Sequence, residues 1–307
     1  VSAADQFLFG YDDGHRLLTG SRELSAEVAA TLLGATDAAM SDDAVPLVTG
    51  LSLSEGEYAY CVTWRASELP RRGAVWAHAL IVANDALRDP RTLEVLLGLP
   101  HRPSAGAYLG RYRTPLSLEV QATAPSYLPP GPPSRDLLTL IAGATYERDG
   151  RGIVAHGDLG EGAKAIIALW RAQWPALRSA FSFRTREVAH AGSREFALTV
   201  TSKIRGADGA PLERPAQQPP WLAAVVDDAA APQPAPLRDW LWAFGPLEPP
   251  QPRRLAALAE LWLSIVARDA EAARRQLARD WPHSGATLTQ VLFDGANDDW
   301  WSGEAAL

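Results

Sequence analysis

The sequence predicts an α+β protein: a mixed β-sheet domain with flanking helices, a second smaller α/β unit, and a helical C-terminal segment. Three observations lead there. Two runs, Tyr58 to Trp64 and Ala74 to Val82, read as strands, the first alternating large and small side chains with a period of two and the second almost wholly apolar. Glu161 to Trp174 and Leu255 to Val266 carry apolar residues at helical spacing. Two Pro-rich stretches, 125–133 and 206–236, interrupt both patterns and divide the chain. The predicted organisation is an N-terminal α+β domain over 1–124, a second α/β unit over 125–205, a Pro/Ala-rich linker over 206–236, and helices over 237–307.

The first element is a β-hairpin. Phe7, Phe9 and Tyr11 alternate onto one face, Asp13-Gly14 makes the turn, and His15-Arg16 opens a return strand through Leu17 and Leu18. Ser25 caps a helix carrying Val28, Leu32 and Leu33, with Gly34 as its stop; 36–46 reads as a loop. In the next strand Tyr58, Tyr60, Val62 and Trp64 take one face and Ala59, Cys61 and Thr63 the other. The strand after it is apolar enough to be covered on both faces, with His78 its one ionisable group. Asp89-Pro90 starts a helix, and short strands are expected near 107–112 and 116–122. Beyond the first break, Ser134 caps a helix, and short strands are expected at 144–148 and 152–156 around Asp149-Gly150. Strands also fall at 180–184 and 194–203. The apolar island Trp221 to Asp227 reads as a short edge strand within the linker. Helices follow from Leu237, the last of them capped by Ser284.

Composition narrows the function. With 47% hydrophobic and 21% charged residues, the 307-residue chain is globular rather than disordered. A net charge of −7 argues against a general nucleic-acid binder, which needs a basic face. The single cysteine, Cys61, sits in a predicted strand and reads as a buried thiol. No segment reaches the ~20 apolar residues that span a bilayer, and no charged-then-apolar leader opens the chain, so the expectation is a cytoplasmic protein without a membrane partner.

Candidate chemistry is sparse. The 6 histidines are scattered and form no helical metal pair, so no metal and no cofactor is expected. No phosphate-binding loop ending in Gly-Lys-Ser/Thr occurs; Gly157 to Gly162 reads as an ordinary turn before a helix. No nucleophile elbow is present. The most concentrated polar group is the hairpin tip. Tyr11, Asp12, Asp13, His15 and Arg16, together with His78, are the candidate binding residues. His15 and His78 flank predicted strands of one domain, and they are the one pair that acid–base catalysis could recruit. Alternatively, His78 is a core histidine hydrogen-bonded to a neighbour. Trp300-Trp301 is a candidate partner-facing surface.

The stretch Phe9-Gly10-Tyr11-Asp12-Asp13-Gly14-His15-Arg16-Leu17-Leu18, followed by Ser21, resembles the opening of the N-terminal domain of the GTPase-associated proteins of bacterial conflict systems. Arg72-Gly73-Ala74-Val75-Trp76-Ala77-His78-Ala79-Leu80 resembles a second segment of that domain, and Phe181 to Thr185 is compatible with the domain that follows it. The resemblance covers residues 1–120. It implies a non-enzymatic adaptor or regulator that partners a small GTPase and further components of a defence system. Were it to stimulate GTP hydrolysis, an arginine finger would be expected, with Arg16, Arg71 and Arg72 the nearest candidates. Two alternatives stand beside this reading: a hydrolase-like enzyme using His15 and His78 as paired acid and base, and a peptide-binding scaffold.

Overall fold

A computed structural model describes residues 2–41, 44–53, 56–104, 109–147, 152–190, 196–205, 218–233 and 235–282. The expected turn at Asp149-Gly150, the Ser284 cap and Trp300-Trp301 lie outside the described residues. Among the described residues the fold is α+β, built on one mixed sheet of nine strands. In chain order these are β1 (Ala3–Tyr11), β2 (His15–Gly20), β3 (Leu47–Ser52), β4 (Glu57–Arg65), β5 (Val75–Ala83), β6 (Leu116–Ser117), β7 (Gly152–Ala155), β8 (Phe183–His190) and β9 (Leu198–Arg205). They lie side by side as β2-β1-β5-β4-β3-β8-β9-β7, with β6 beside the start of β1. Pairing is antiparallel from β2 through to β8 and parallel among β8, β9 and β7.

The alternation in β4 separates two cores as expected. Tyr58, Tyr60, Val62 and Trp64 face the larger core, while Ala59 and Cys61 face a smaller one with Phe7, Phe9 and Ile81. Helix α1 (Ala26–Thr36) covers the smaller core with Val28 and Leu32, and the Ser25 side chain caps it at Val28 N. The larger core is covered by α2 (Pro90–Gly98), α3 (Arg135–Tyr146), α4 (Leu159–Ala172) and α6 (Pro220–Ala230). Trp170 of α4 stacks on Tyr58 at 5.2 Å and on Tyr60 at 5.9 Å, so buried side chains from both sides of the 125–133 run share this core.

Strand β3 joins β4 to β8, the strand at which pairing turns from antiparallel to parallel, and the sequence reading passes over it. Its run Leu47-Val48-Thr49-Gly50-Leu51 is short and interrupted by glycine, so it lacks a strong strand signature. The structure gives Gly50 a purpose. A β-carbon there would lie 2.4 Å from the Tyr58 hydroxyl and 2.6 Å from the Phe183 ring, so only glycine lets β3 meet β8 at this point. Tyr58 Oη then donates to Phe181 O at 2.8 Å, and Val48 N donates to Thr185 Oγ1 at 2.9 Å.

Several local expectations change. Helix α1 runs past Gly34 to Thr36, whose hydroxyl donates back to Leu32 O at 2.7 Å. Residues 109–113 form a single 3-10 turn instead of a strand, only Leu116–Ser117 pairs in the segment that follows, and α3 continues to Tyr146 where a strand was expected. The island 221–227 is helical, forming most of α6. Trp221, Leu222, Val225 and Val226 recur at 3.6-residue spacing and are buried, a period that outweighs the β-branched composition. The last described helices are α7 (Pro236–Phe244), α8 (Pro252–Val266) and α9 (Ala270–Asp280). Arg268 adopts φ 56° between α8 and α9 and breaks what reads in sequence as one continuous helix.

Pro175 does not merely stop α4; it starts the short helix α5 (Pro175–Ala180), which carries Arg178. This guanidinium is fully buried. It donates to Trp170 O, Arg171 O and Gln173 O at the C-terminal end of α4, and to Leu87 O in the 84–88 turn that follows β5. Carbonyls at a helix C-terminus carry partial negative charge and lack partners within the helix, so a cation there satisfies both needs. The Trp242 ring of α7 packs 5.0 Å from the guanidinium carbon. Burial lowers the Arg178 pKa to about 10, which leaves it protonated at neutral pH. Arg178→Met should cost at least about 3 kcal/mol, because several buried carbonyls would each lose a partner at roughly 1–3 kcal/mol. Arg178→Lys should recover only part of this. Urea unfolding midpoints of the two variants measure it; a midpoint within error of wild type for Arg178→Met would contradict this role.

Candidate functional site

The hairpin tip is built by β1 and β2. Tyr11 pairs with His15, and residues 12–14 close the turn, with Asp12 N donating to Gly14 O at 2.9 Å. Asp13 (φ 54°) and Gly14 (φ 132°) both take positive φ, which aspartate and glycine tolerate. The register skips one residue between Leu8 and Phe9, so Leu18 bulges. Leu17 thereby joins the smaller core, and Leu18 packs with Tyr11, Leu69 and Trp76 on the other face. Gly10 lets the Trp76 ring approach: a β-carbon would sit 2.5 Å from it. Tyr11 therefore departs from the expected shared face with Phe7 and Phe9.

The turn between β4 and β5 reaches the same end of the sheet. Arg71 places its guanidinium carbon 4.9 Å from the centre of the Tyr11 ring. Arg16 pairs with Asp12 at 2.6 Å in full solvent exposure, a contact worth at most about 1 kcal/mol. Asp12, Asp13, Arg16, Arg71 and Arg72 are all exposed, and Tyr11 is half-buried beneath Arg71. Arg71 over Tyr11 and Arg16 with Asp12, flanked in sequence by Arg72 and Asp13, give this end of the sheet a charged platform whose one aromatic ring, Tyr11, packs partly against the core beneath it. His15 does not belong to it. Its ring stacks on Phe9 at 6.2 Å, and Nε2 lies 3.0 Å from Thr36 Oγ1 of α1. The Thr36 hydroxyl already donates to Leu32 O, so His15 Nε2–H is the donor to it. Burial lowers the His15 pKa, with Asp37 opposing, and the ring ties the hairpin to α1.

His78 is completely buried. Its Nδ1 accepts from His101 N at 3.3 Å, which leaves Nε2–H to donate to Gln6 Oε1 at 3.2 Å. The Gln6 amide nitrogen donates in turn to Arg111 O at 2.9 Å and Thr114 O at 2.6 Å. Tyr112 and His101 pack edge-on against the ring at 5.2 and 4.6 Å. The expected proximity of His15 and His78 as an acid–base pair is therefore corrected. His78 faces the side of the sheet opposite Phe9 and His15, and it is sealed from solvent, with one ring nitrogen holding His101 and the other Gln6, which in turn holds Arg111 and Thr114 against β1. Gln6 and His101 are the partners that sequence reasoning missed; a lone Gln in an apolar strand was the available signal for the first.

Other candidates resolve into local structure. Asp158 Oδ1 accepts from Gly160 N and Glu161 N, so the start of α4 is capped by its own side chain. Cys61 is buried and its thiol is pushed up to about 12, far from a reactive thiolate. Among the described residues no three His, Cys, Asp or Glu side chains converge as metal ligands, and no helix is long and apolar enough to cross a membrane.

With this geometry in place, comparison with known families is decisive for the first third of the chain. Residues 3–99 match the family described as GTPase-associated protein 1, N-terminal domain type 1. The curated proteins contain no match. The GTPase-associated protein 1 match takes in β1 to β5, α1 and α2, and so includes the whole platform and His78. It stops before His101, Tyr112 and Thr114, which complete the histidine network from outside the matched segment.

Burial, His101 and Arg111 together hold the His78 pKa well below the ordinary histidine value. The folded chain keeps this ring neutral, whereas an unfolded chain protonates it near pH ~6.5. Stability from His78 is thus present above that pH and lost below it, at up to about 1.4 kcal/mol per pH unit. His78→Gln should lower stability at pH 7.5 by about 1–3 kcal/mol through the broken network. It should also reduce the loss of stability between pH 6.5 and 5. Urea titrations at both pH values measure the slope; an unchanged slope would contradict the buried neutral ring.

Proposed function

We propose that this chain is a non-enzymatic interaction module that binds a small GTPase through the platform of Tyr11, Asp12, Asp13, Arg16, Arg71 and Arg72, as a regulatory component of a bacterial conflict or defence system. The family match over residues 3–99 carries this reading. The geometry supports it in two ways. The platform's charged groups are exposed and contribute little to folding, with Arg16–Asp12 an exposed ion pair and Arg71 packed over Tyr11 among the described residues. An aromatic flanked by arginines is also the composition that dominates binding energy at protein interfaces. The acid–base alternative loses its support because His78 is inaccessible.

Affinity should depend on charge and on nucleotide state. With a candidate small GTPase, calorimetry on the full chain should give at least tenfold different Kd values for the GDP-bound and GTP-analogue-bound forms. The double variant Arg71→Glu, Arg72→Glu should weaken the tighter complex at least tenfold, while Arg88→Glu, exposed on the 84–88 turn, should leave it unchanged. Failure to bind in either nucleotide state would sink the reading. Equal affinity for wild type and the double variant would remove the platform from it.

A further inference from the structure

Among the described residues, one cavity shares no lining residue with the hairpin tip. It occupies about 1080 Å³ between α2, α4, α7, the end of α6 and the Pro-rich run, a volume at the upper end of small-molecule sites. Leu93, Pro133, Ala168, Ala230 and Trp242 give it an apolar wall. Four cations line it: Lys164, Arg171, Arg178 and Arg238. Their counter-charges are unequal. Lys164 pairs with Glu161, Arg171 with Glu94 and Arg238 with Asp228. Arg178 donates only to neutral carbonyls; burial and the neighbouring Arg238 charge lower its pKa, with Glu94 opposing. The second acid in the lining, Asp239, is exposed.

A second observation gives the polarity of what the site accepts. Two buried side-chain atoms in the lining have no hydrogen-bond partner among the described residues, the indole Nε1–H of Trp242 and the Nε–H of Arg171. Both are donors, and no buried acceptor in the lining is left without a partner. Buried polar groups are normally satisfied, so two orphan donors near the buried Arg178 charge, which has no carboxylate in direct contact, favour an acceptor with negative charge.

We propose that this cavity binds an amphipathic organic anion, with an aromatic or apolar body against Trp242 and the proline and alanine wall, and an acidic oxygen group toward the partly exposed Arg171, in the field of the buried Arg178 charge. Glu94 and Leu93 come from the family-matched segment, whereas Lys164 and Trp242 lie beyond it, so an occupant would bridge the two. The inference is independent of GTPase binding.

The test uses two dyes on the full chain, anilinonaphthalene sulfonate and its uncharged analogue phenylnaphthylamine. The sulfonate should bind saturably with one site per chain, and the neutral analogue at least tenfold more weakly. Ala230→Trp, which fills the cavity, and Arg171→Gln, which removes a donor and a charge, should each weaken sulfonate binding at least tenfold while near-ultraviolet circular dichroism stays native. If Ala230→Trp does not fold, Arg171→Gln decides. Absence of saturable sulfonate binding, equal binding of both dyes, or wild-type affinity in the folded variants would overturn the proposal.

Discussion

One buried guanidinium joins the parts of this molecule. Arg178 has no carboxylate within ion-pair distance among the described residues, and it is stabilised by carbonyl oxygens from the end of α4 and from the turn after β5. A buried charge without such partners would be very costly. Its geometry therefore fixes where α4 ends, how close α5 lies to the family-matched segment, and where Trp242 brings α7. Tyr58 and Gly50 complete the same joint from the sheet side, where β3 meets β8. The 3–99 segment is consequently not an isolated module in this chain, because its sheet and its core continue into the residues that follow.

That joint separates two uses of polar residues. Inside, Gln6, His78, Tyr60 and Tyr127 are committed to closed networks; Tyr127 donates to Leu97 O at 2.7 Å and lies 2.7 Å from the Tyr60 hydroxyl. Such groups stabilise the fold but are unavailable to a ligand. At the hairpin tip, by contrast, charges remain in water where their mutual contacts are weak. The division explains why the most noticeable histidines in the sequence have no open chemistry, while less noticeable arginines at a turn stay exposed.

Much of the fold was legible in sequence. Strong period-two alternation marked β4, the Asp-Gly turn marked the β1–β2 hairpin, and Ser25, Asp89 and Ser134 marked helix starts that the structure confirms with side-chain caps. Elements whose identity depends on tertiary contacts were not legible. Strand β3 contains a glycine that only its neighbours Tyr58 and Phe183 explain, and α6 sits within Pro- and Ala-rich sequence that resembles a linker. The tip residues were visible as a polar cluster. Arg71 joined them only through the folded sheet, and the partners of His78 lie at positions 6 and 101, too remote for local pattern to pair.

The central claim is that a GTPase docks on the hairpin end of the sheet. Amide hydrogen exchange of the full chain, with and without a candidate small GTPase in its tighter-binding nucleotide state, tests it most directly. The account predicts added protection confined to residues 10–17 and 69–74. Binding accompanied by protection elsewhere, with both of these segments unchanged, would contradict it.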